Sequence, residues 1–229
     1  MMGHAMVSGG SRASVPVTGI KLGDIAVGQL VKINENGSPV EFYVAKHEYE
    51  SALNGTGRTL LVRKDCYDSR QWHSSKLNNY ATSDIDNWLN GTYKNLLDAK
   101  VRTAIGTTKF YYTPGNGDYN VTTLSRGIFL LSIKELGFSD STYGTVEGST
   151  LPIASVLQVP NINLSYKSQW TRTPCQYNSP YNVYLINNSS GTWGIVWYSA
   201  TDNEGSRPCF TLPSSTFFDS ETLLFKGVA

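Results

Sequence analysis

The sequence predicts an α+β domain built around a mostly antiparallel sheet. Three observations carry that reading: β-prone runs gather at both ends of the chain, helical periodicity is confined to the middle, and no regular βαβ alternation joins them. Neither an internal repeat nor a low-complexity linker interrupts the pattern. The 229 residues therefore read as a leader, residues 1–14, and one domain, residues 15–229, long enough to bury a core without disulfides or metal.

Val27–Ile33 and Val40–His47 are β-prone, and Asn36-Gly37 between them tolerates positive φ, so the pair reads as a hairpin. Thr59–Val62 is a third strand. The clearest helix is Ser83–Asn90. Ser83 can cap free amides, Asp84 and Asp86 suit the positive end, and Ile85, Trp88 and Leu89 share one face. Gly91 is expected to stop it. A second helix follows over Tyr93–Ile105, with Leu96, Leu97, Val101 and Ile105 inward.

Lys109–Tyr112 reads as a strand ended by the turn Pro114-Gly115-Asn116-Gly117. Gly127–Leu131 reads as a strand leading into a short helix, Ser132–Leu136, closed by Gly137. Ser139–Ser168 shows no period and reads as long irregular connections. Beyond it, Val183–Ile186, Thr192–Tyr198, Arg207–Leu212 and Glu221–Phe225 read as antiparallel strands, with turns at Asn187–Gly191 and Asp202–Gly205.

Charged residues make up 16% and the net charge is +1, with no Lys/Arg cluster to neutralise several phosphates, which argues against nucleic acid as a partner. No apolar run reaches the roughly 20 residues a bilayer requires, so membrane insertion is not expected. Met1–Ser14 lacks the apolar stretch of a signal peptide and reads as a flexible leader or cloning remnant. Cys66, Cys175 and Cys209 are too few and too dispersed for a disulfide scaffold or a CxxC zinc site. Buried free thiols are favoured over a Cys175–Cys209 bridge.

No GxSxG, HExxH, GxGxxG or P-loop string occurs. A Cys66/His73 nucleophile pair can be drawn, but no third orienting group is implied, and a packed cysteine with a hydrogen-bonded histidine is the stronger reading. Paired carboxylates for glycoside hydrolysis need no local motif and stay open. Asp202-Asn203-Glu204 could ligate calcium, though a solvated turn is preferred. On balance the chain is expected to be no enzyme and to need no cofactor or metal.

One segment stands out. Gln176–Asn203 interleaves Tyr177, Tyr181, Tyr184, Trp193, Trp197 and Tyr198 with Asn178, Asn182, Asn187, Asn188, Ser189, Thr192, Ser199, Thr201 and Asn203, and contains no Lys or Arg. Tyr supplies large amphipathic contact area and Asn/Ser adaptable hydrogen bonds, the chemistry of a recognition surface. An ordinary β-meander with polar turns is the competing reading. Alternation along Thr192–Tyr198 places Trp193, Ile195 and Trp197 on one face and Gly194, Val196 and Tyr198 on the other.

Several phrases together resemble the phage and bacterial domain family DUF6273, found in tail and surface-associated proteins. They are Tyr80-Ala-Thr-Ser-Asp-Ile-Asp-Asn-Trp-Leu-Asn90, Phe129-Leu-Leu-Ser-Ile-Lys-Glu-Leu-Gly137, Trp170-Thr-Arg-Thr-Pro174 and Gly205-Ser-Arg-Pro208 leading into Cys209-Phe-Thr-Leu. The resemblance covers about Val27 to the C-terminus. It implies a C-type-lectin-like fold with short antiparallel sheets, two main helices and long irregular loops, as in variable proteins of diversity-generating retroelements. In such proteins a segment between these landmarks carries mutable positions derived from Asn codons, here about residues 173–206.

That carry-over puts Tyr177, Asn178, Tyr181, Tyr184, Asn187, Asn188, Ile195, Tyr198, Ser199, Thr201 and Asn203 on the contact surface. It makes Trp170, Arg172, Pro174, Gln176, Trp193, Trp197, Arg207 and Pro208 scaffold, with Arg172 and Arg207 bracing backbone carbonyls. The Glu-Pro-Asn and Trp-Asn-Asp phrases of calcium-dependent lectins are absent. The expected role is a receptor-binding protein or adhesin of a virion (phage tail) or bacterial cell surface. Its partner would be a protein or glycan on a target cell, and homo-oligomers are compatible with it. The alternatives are a cell-wall hydrolase or other enzyme on the same scaffold, and a structural particle protein that buries Gln176–Asn203 in an oligomer.

Overall fold

The computed structural model describes residues 17–138, 146–159, 168–176, 180–189 and 192–228. The fold is α+β, rich in sheet, with short helices. In chain order the strands are β1 Ile20–Lys21, β2 Leu30–Glu35, β3 Ser38–His47, β4 Arg58–Arg63, β5 Asp68–Gln71, β6 Thr108–Tyr112, β7 Thr122–Arg126 and β8 Ile128–Phe129. They continue with β9 Ser168–Pro174, β10 Asn182–Ser189, β11 Thr192–Ser199, β12 Asn203–Ser206, β13 Cys209–Pro213, β14 Phe217–Phe218 and β15 Phe225–Gly227.

Two five-stranded sheets dominate, in the orders β2-β3-β4-β13-β8 and β11-β10-β9-β12-β5, beside the smaller β1-β14-β15 and β6-β7. All pairings in the first large sheet are antiparallel. In the second, β12 meets β9 in parallel at Gly205 opposite Gln169.

The first hairpin forms as the sequence dictates. Asn36 and Gly37 both take positive φ, 52° and 75°, the geometry that joins two twisted strands with a two-residue loop. Val31 and Ile33 on β2 and Phe42 and Val44 on β3 turn inward. β4 and β13 lie deeper, buried on both faces, and therefore read as continuous apolar runs rather than alternations.

The two large sheets are joined where β4 leads to β5 and β12 leads to β13. Val62 stands opposite Cys209 in the first sheet, and Asp68 opposite Ser206 in the second. Between these pairs the ladder continues: the Arg63 amide donates to the Pro208 carbonyl at 3.0 Å and the Tyr67 amide to the Ser206 carbonyl at 2.7 Å. One core cluster accordingly draws buried side chains from Leu22 to Phe218.

The helical middle departs from expectation at one point. Ser83 Oγ accepts from the Asp86 amide at 3.1 Å, capping the helix Asp84–Trp88. Gly91 does not stop it. The chain widens into a π-turn, Leu89–Tyr93, and runs on through Lys94–Leu96 until Leu97 turns extended. That extra turn carries the Tyr93 hydroxyl to Glu35 Oε2 at 2.7 Å, a contact outside the reach of helix-stop signals. The helix read over Tyr93–Ile105 is thus two pieces, the second being Ala99–Ala104.

Other boundaries shift too. Gly127–Leu131 pairs only at Ile128–Phe129, and Ser132–Leu136 is a turn closed by Gly137 at φ 84°. The turn read at Asp202–Gly205 occupies only its start, because Asn203–Ser206 is strand β12 between β9 and β5. The last pairing is Phe225–Gly227 with Phe217–Phe218, rather than a strand from Glu221. Within the stretch read as irregular, a one-turn helix forms at Ala154–Leu157. Among the described residues no helix is long and apolar enough to cross a membrane.

Candidate binding surface

The segment singled out by composition is organised around β9, which is buried along its whole length. Trp170 is enclosed and its Nε1 donates to the Arg70 carbonyl at 2.9 Å. Thr171 Oγ1 donates to the Tyr184 carbonyl at 2.6 Å, tying β9 to β10. Arg172 is fully buried. Its Nε donates to the Tyr111 carbonyl at 3.0 Å, and its Nη1 to the Leu130 carbonyl at 2.8 Å and Glu135 Oε2 at 2.7 Å. Burial alone would lower its pKa, but Glu135, Tyr49 and Glu147 around it hold the guanidinium charged, above its ordinary value.

Glu135 reaches that position through local chemistry. Ser132 and Glu135 form a reciprocal box: the Glu135 amide donates to Ser132 Oγ at 3.1 Å and the Ser132 amide to Glu135 Oε2 at 2.9 Å. Tyr49 donates its hydroxyl to Glu135 Oε1 at 2.5 Å. The Ser-x-x-Glu spacing was the signal that could have singled Glu135 out. Nothing local marks Asn78, a buried hub for the start of the hairpin. Its Nδ2 donates to the Cys175 carbonyl at 3.3 Å and the Asn182 carbonyl at 3.0 Å, and its Oδ1 accepts the Asn116 amide at 2.6 Å.

Arg207 closes the far side. It donates to the carbonyls of Arg63 at 2.8 Å, Leu157 at 2.6 Å and Lys64 at 2.7 Å, and to Gln169 Oε1 at 3.2 Å. Pro174 and Pro208, which end β9 and precede β13, are buried. Trp170, Arg172, Pro174, Arg207 and Pro208 therefore all lie inside the protein.

From this base the hairpin β10–β11 projects, with β11 at the sheet's edge. Its register is unbroken from Asn182 opposite Ser199 to Ser189 opposite Thr192. Tyr198, Val183, Leu185, Val196 and Asn187 share one face, and Tyr184, Ile186, Trp193, Ile195 and Trp197 the other. Tyr181, Trp197 and Tyr198 are the exposed aromatics here, at 48%, 44% and 37%. Asn187 Nδ2 donates to the Tyr198 hydroxyl at 3.1 Å, so the two side chains cooperate on one face. Ser199 and Thr201 share a hydroxyl contact at 2.9 Å, and Asn203 is exposed at the start of β12.

Two positions depart from the expected division. Tyr184 is 1% exposed and packs with Ile133 and Cys175, so its ring is core, not contact surface. The reason is that β10 sits between β9 and β11 and is covered on both faces. Trp197, expected as scaffold, stands out at the edge, while Trp193 is half-buried against the main core. Ile195 is half-buried against the Tyr184 cluster. Tyr177 and Asn178 lie outside the described residues, as does the side chain of Asn188, whose backbone pairs with Trp193.

Cys66 and His73, the nucleophile pair drawn from the sequence, have separate partners. Cys66 is buried against Gly205, and burial pushes its thiol up to about 11, which leaves it protonated at neutral pH. His73 Nδ1 instead accepts the Ser75 amide at 3.1 Å and lies 3.8 Å from Asp84. All three cysteines are free and buried, so Cys175 and Cys209 are not bridged. Asp202 Oδ2 accepts the Ser199 amide at 3.1 Å and the Glu204 carboxylate accepts the Ser168 hydroxyl, while burial raises the Glu204 pKa. A mostly apolar groove of about 590 Å³ lies elsewhere, between Ala99–Ala104, Pro213 and Lys226, and includes neither Cys66 nor His73.

No curated protein and no solved structure matches the chain. A family described as "Domain of unknown function (DUF6273)" matches residues 56–214, from β4 through β13, which spans the buried arginines and the hairpin they support. The chain belongs to the DUF6273 family.

Proposed function

We propose that this chain is a non-catalytic receptor-binding module of a phage tail or bacterial surface, with a C-type-lectin-like fold and a contact face on the hairpin β10–β11. The observation that carries the reading is the contrast between support and surface. β9 is wholly buried and pinned by Arg172 and Arg207, whereas the uncharged hairpin beside it exposes Tyr181, Trp197 and Tyr198. Rigid aromatics over a fixed base contact a partner at little entropic cost, and Asn187, Ser199, Thr201 and Asn203 add adaptable hydrogen bonds. The partner is a protein or glycan of a target cell, and the segment 173–206 is the diversified part. Tyr184, being core, is excluded from that set.

Fluorescently labelled protein titrated onto a panel of bacterial envelopes and a glycan array tests this. On any probe that binds the parent, Tyr181→Ala combined with Tyr198→Ala should weaken binding at least ~10-fold, since such anchors are worth a few kcal/mol. The melting temperature should shift by less than about 3 °C, because both rings are exposed. Binding untouched by the double substitution would count against this face. Sequences from related isolates should also vary at Tyr181, Asn187, Tyr198, Ser199, Thr201 and Asn203 while Trp170, Arg172 and Arg207 stay fixed.

A further inference from the structure

In an antiparallel pair, opposed residues alternate between those that exchange both backbone hydrogen bonds and those that point both groups away. The Ala200 amide donates to the Tyr181 carbonyl at 2.8 Å, which fixes the phase at the base of the hairpin. Ser199, out of phase with it, uses its amide on Asp202 Oδ2 at 3.1 Å and its carbonyl on the Asp202 amide at 2.9 Å. Counting back in twos through the unbroken register, Tyr198, Val196 and Gly194 bond to β10. Trp197, Ile195 and Trp193 therefore aim their amides and carbonyls outward. Among the described residues no strand lies on that side.

Sheet edges are ordinarily blunted by Lys, Pro, bulges or inward charges. Thr192–Ser199 contains none of Lys, Arg, Asp, Glu or Pro, and its pairing with β10 has no bulge. We infer that this edge pairs with β11 of a second copy of the chain, antiparallel, about a two-fold axis at Ile195.

The sequence of the edge is what selects a second copy. The outward-bonding residues form a symmetric set, Trp193, Ile195, Trp197. With Ile195 opposite Ile195 of the second copy, each Trp193 meets a Trp197 and every outward-bonding residue meets its like. A slip of one residue would set bonding groups against non-bonding ones. A two-fold axis also brings any charge near the axis towards its own copy, and the whole hairpin Asn182–Ser199 is uncharged. In that register Trp197 faces Trp193 and Tyr198 faces Thr192 of the second copy, while Asn187 lies one strand in from the seam. Two contact faces would then be carried by one ten-stranded sheet, which raises avidity without new contacts. The pairing is independent of the receptor-binding proposal, since it is read without any receptor.

Three outward-bonding residues make a small interface, so association in the micromolar range or weaker is expected. Sedimentation equilibrium of the full chain, from about 5 μM to about 0.5 mM, should show mass rising from 25.2 kDa towards twice that value. Ile195→Lys and Ile195→Glu, each alone, should stay monomeric because like charges meet on the axis. Their equimolar mixture should return to the dimer, because opposite charges then meet there. Circular dichroism checks that both variants fold. Should either fail to fold, Trp197→Lys, which alters an exposed side chain, replaces them and should cut association at least ~10-fold. A parent that remains monomeric across the range overturns the proposal. So does a dimer that survives Ile195→Lys or Trp197→Lys, or a mixture that fails to re-associate.

Discussion

Arg172 and Arg207 are both enclosed, yet they are satisfied by different chemistry. Arg207 is held chiefly by carbonyl oxygens, and its burial lowers its pKa. Arg172 has Glu135 as a counter-ion, so removing either partner would strand a buried charge. Asp86 is another buried ionisable group, and here burial outweighs pairing. Its Oδ2 lies 2.6 Å from Arg126 Nε and Asn90 donates to its Oδ1 at 3.1 Å, but desolvation still pushes its pKa up to about 6. The folded chain thus holds this proton more tightly than the unfolded chain does. The resulting stabilisation is full below the ordinary Asp value, near 3.8, and is lost as pH rises through about 6. Asp86→Asn removes that dependence. In urea unfolding, the stability of the parent minus that of the variant should fall by roughly 2–3 kcal/mol between pH ~4 and pH ~7. A flat difference would mean that Asp86 is ionised throughout.

At the scale of elements, two glycines in one sheet make a matched test of packing. A Cβ on Gly205 would lie 2.5 Å from the Ser168 carbonyl oxygen and 2.7 Å from Cys66 Sγ, where β12 crosses β9. A Cβ on Gly194 in the edge strand would meet nothing within 4 Å. Gly205→Ala should therefore cost about 1–3 kcal/mol, and Gly194→Ala should be neutral or stabilise by up to ~1 kcal/mol, both by urea midpoint. The same crossing shows where the sequence could be read and where it could not. Asn36-Gly37 and the Ser83-capped helix announce themselves because local backbone chemistry decides them. β9 is buried yet reads Ser-Gln-Trp-Thr-Arg-Thr-Pro, since its polar side chains find partners far along the chain. Gln169 reaches the Leu157 carbonyl at 2.8 Å and Thr173 reaches Glu147 at 2.6 Å. Hydrophobic periodicity is blind to burial achieved by hydrogen bonding, so most of β9 gives no strand signal and the Asn-Glu-Gly-Ser strand β12 reads as part of a turn. In the hairpin, composition marked the exposed Tyr181 and Tyr198 but could not separate Tyr184 from them, because a central strand of a covered sheet has no polar face.

Across the whole molecule, the question is whether the two large sheets can come apart. The β4–β13 ladder passes into the β5–β12 ladder through only the residues between Arg63 and Asp68 on one side and Ser206 and Cys209 on the other. Arg207 fills that junction, gripping Arg63, Lys64 and Leu157 at once. Arg172 does the same from β9, joining Tyr111 on β6 to Leu130 beyond β8. Neither sheet can leave the other without exposing a buried guanidinium and breaking a shared ladder, so partial unfolding at this junction costs nearly as much as complete unfolding. Unfolding should therefore be one cooperative transition. Trp72 and Trp170 are both buried, the first donating its Nε1 to the Thr171 carbonyl of β9 and the second to the Arg70 carbonyl of β5, which makes tryptophan fluorescence sensitive to separation of these strands. Fluorescence, far-UV and near-UV circular dichroism should give coincident thermal curves, and the calorimetric enthalpy should match the van't Hoff value. A fluorescence change that precedes loss of far-UV signal would show that the second sheet opens alone, and that the arginine junction is a hinge rather than a clasp.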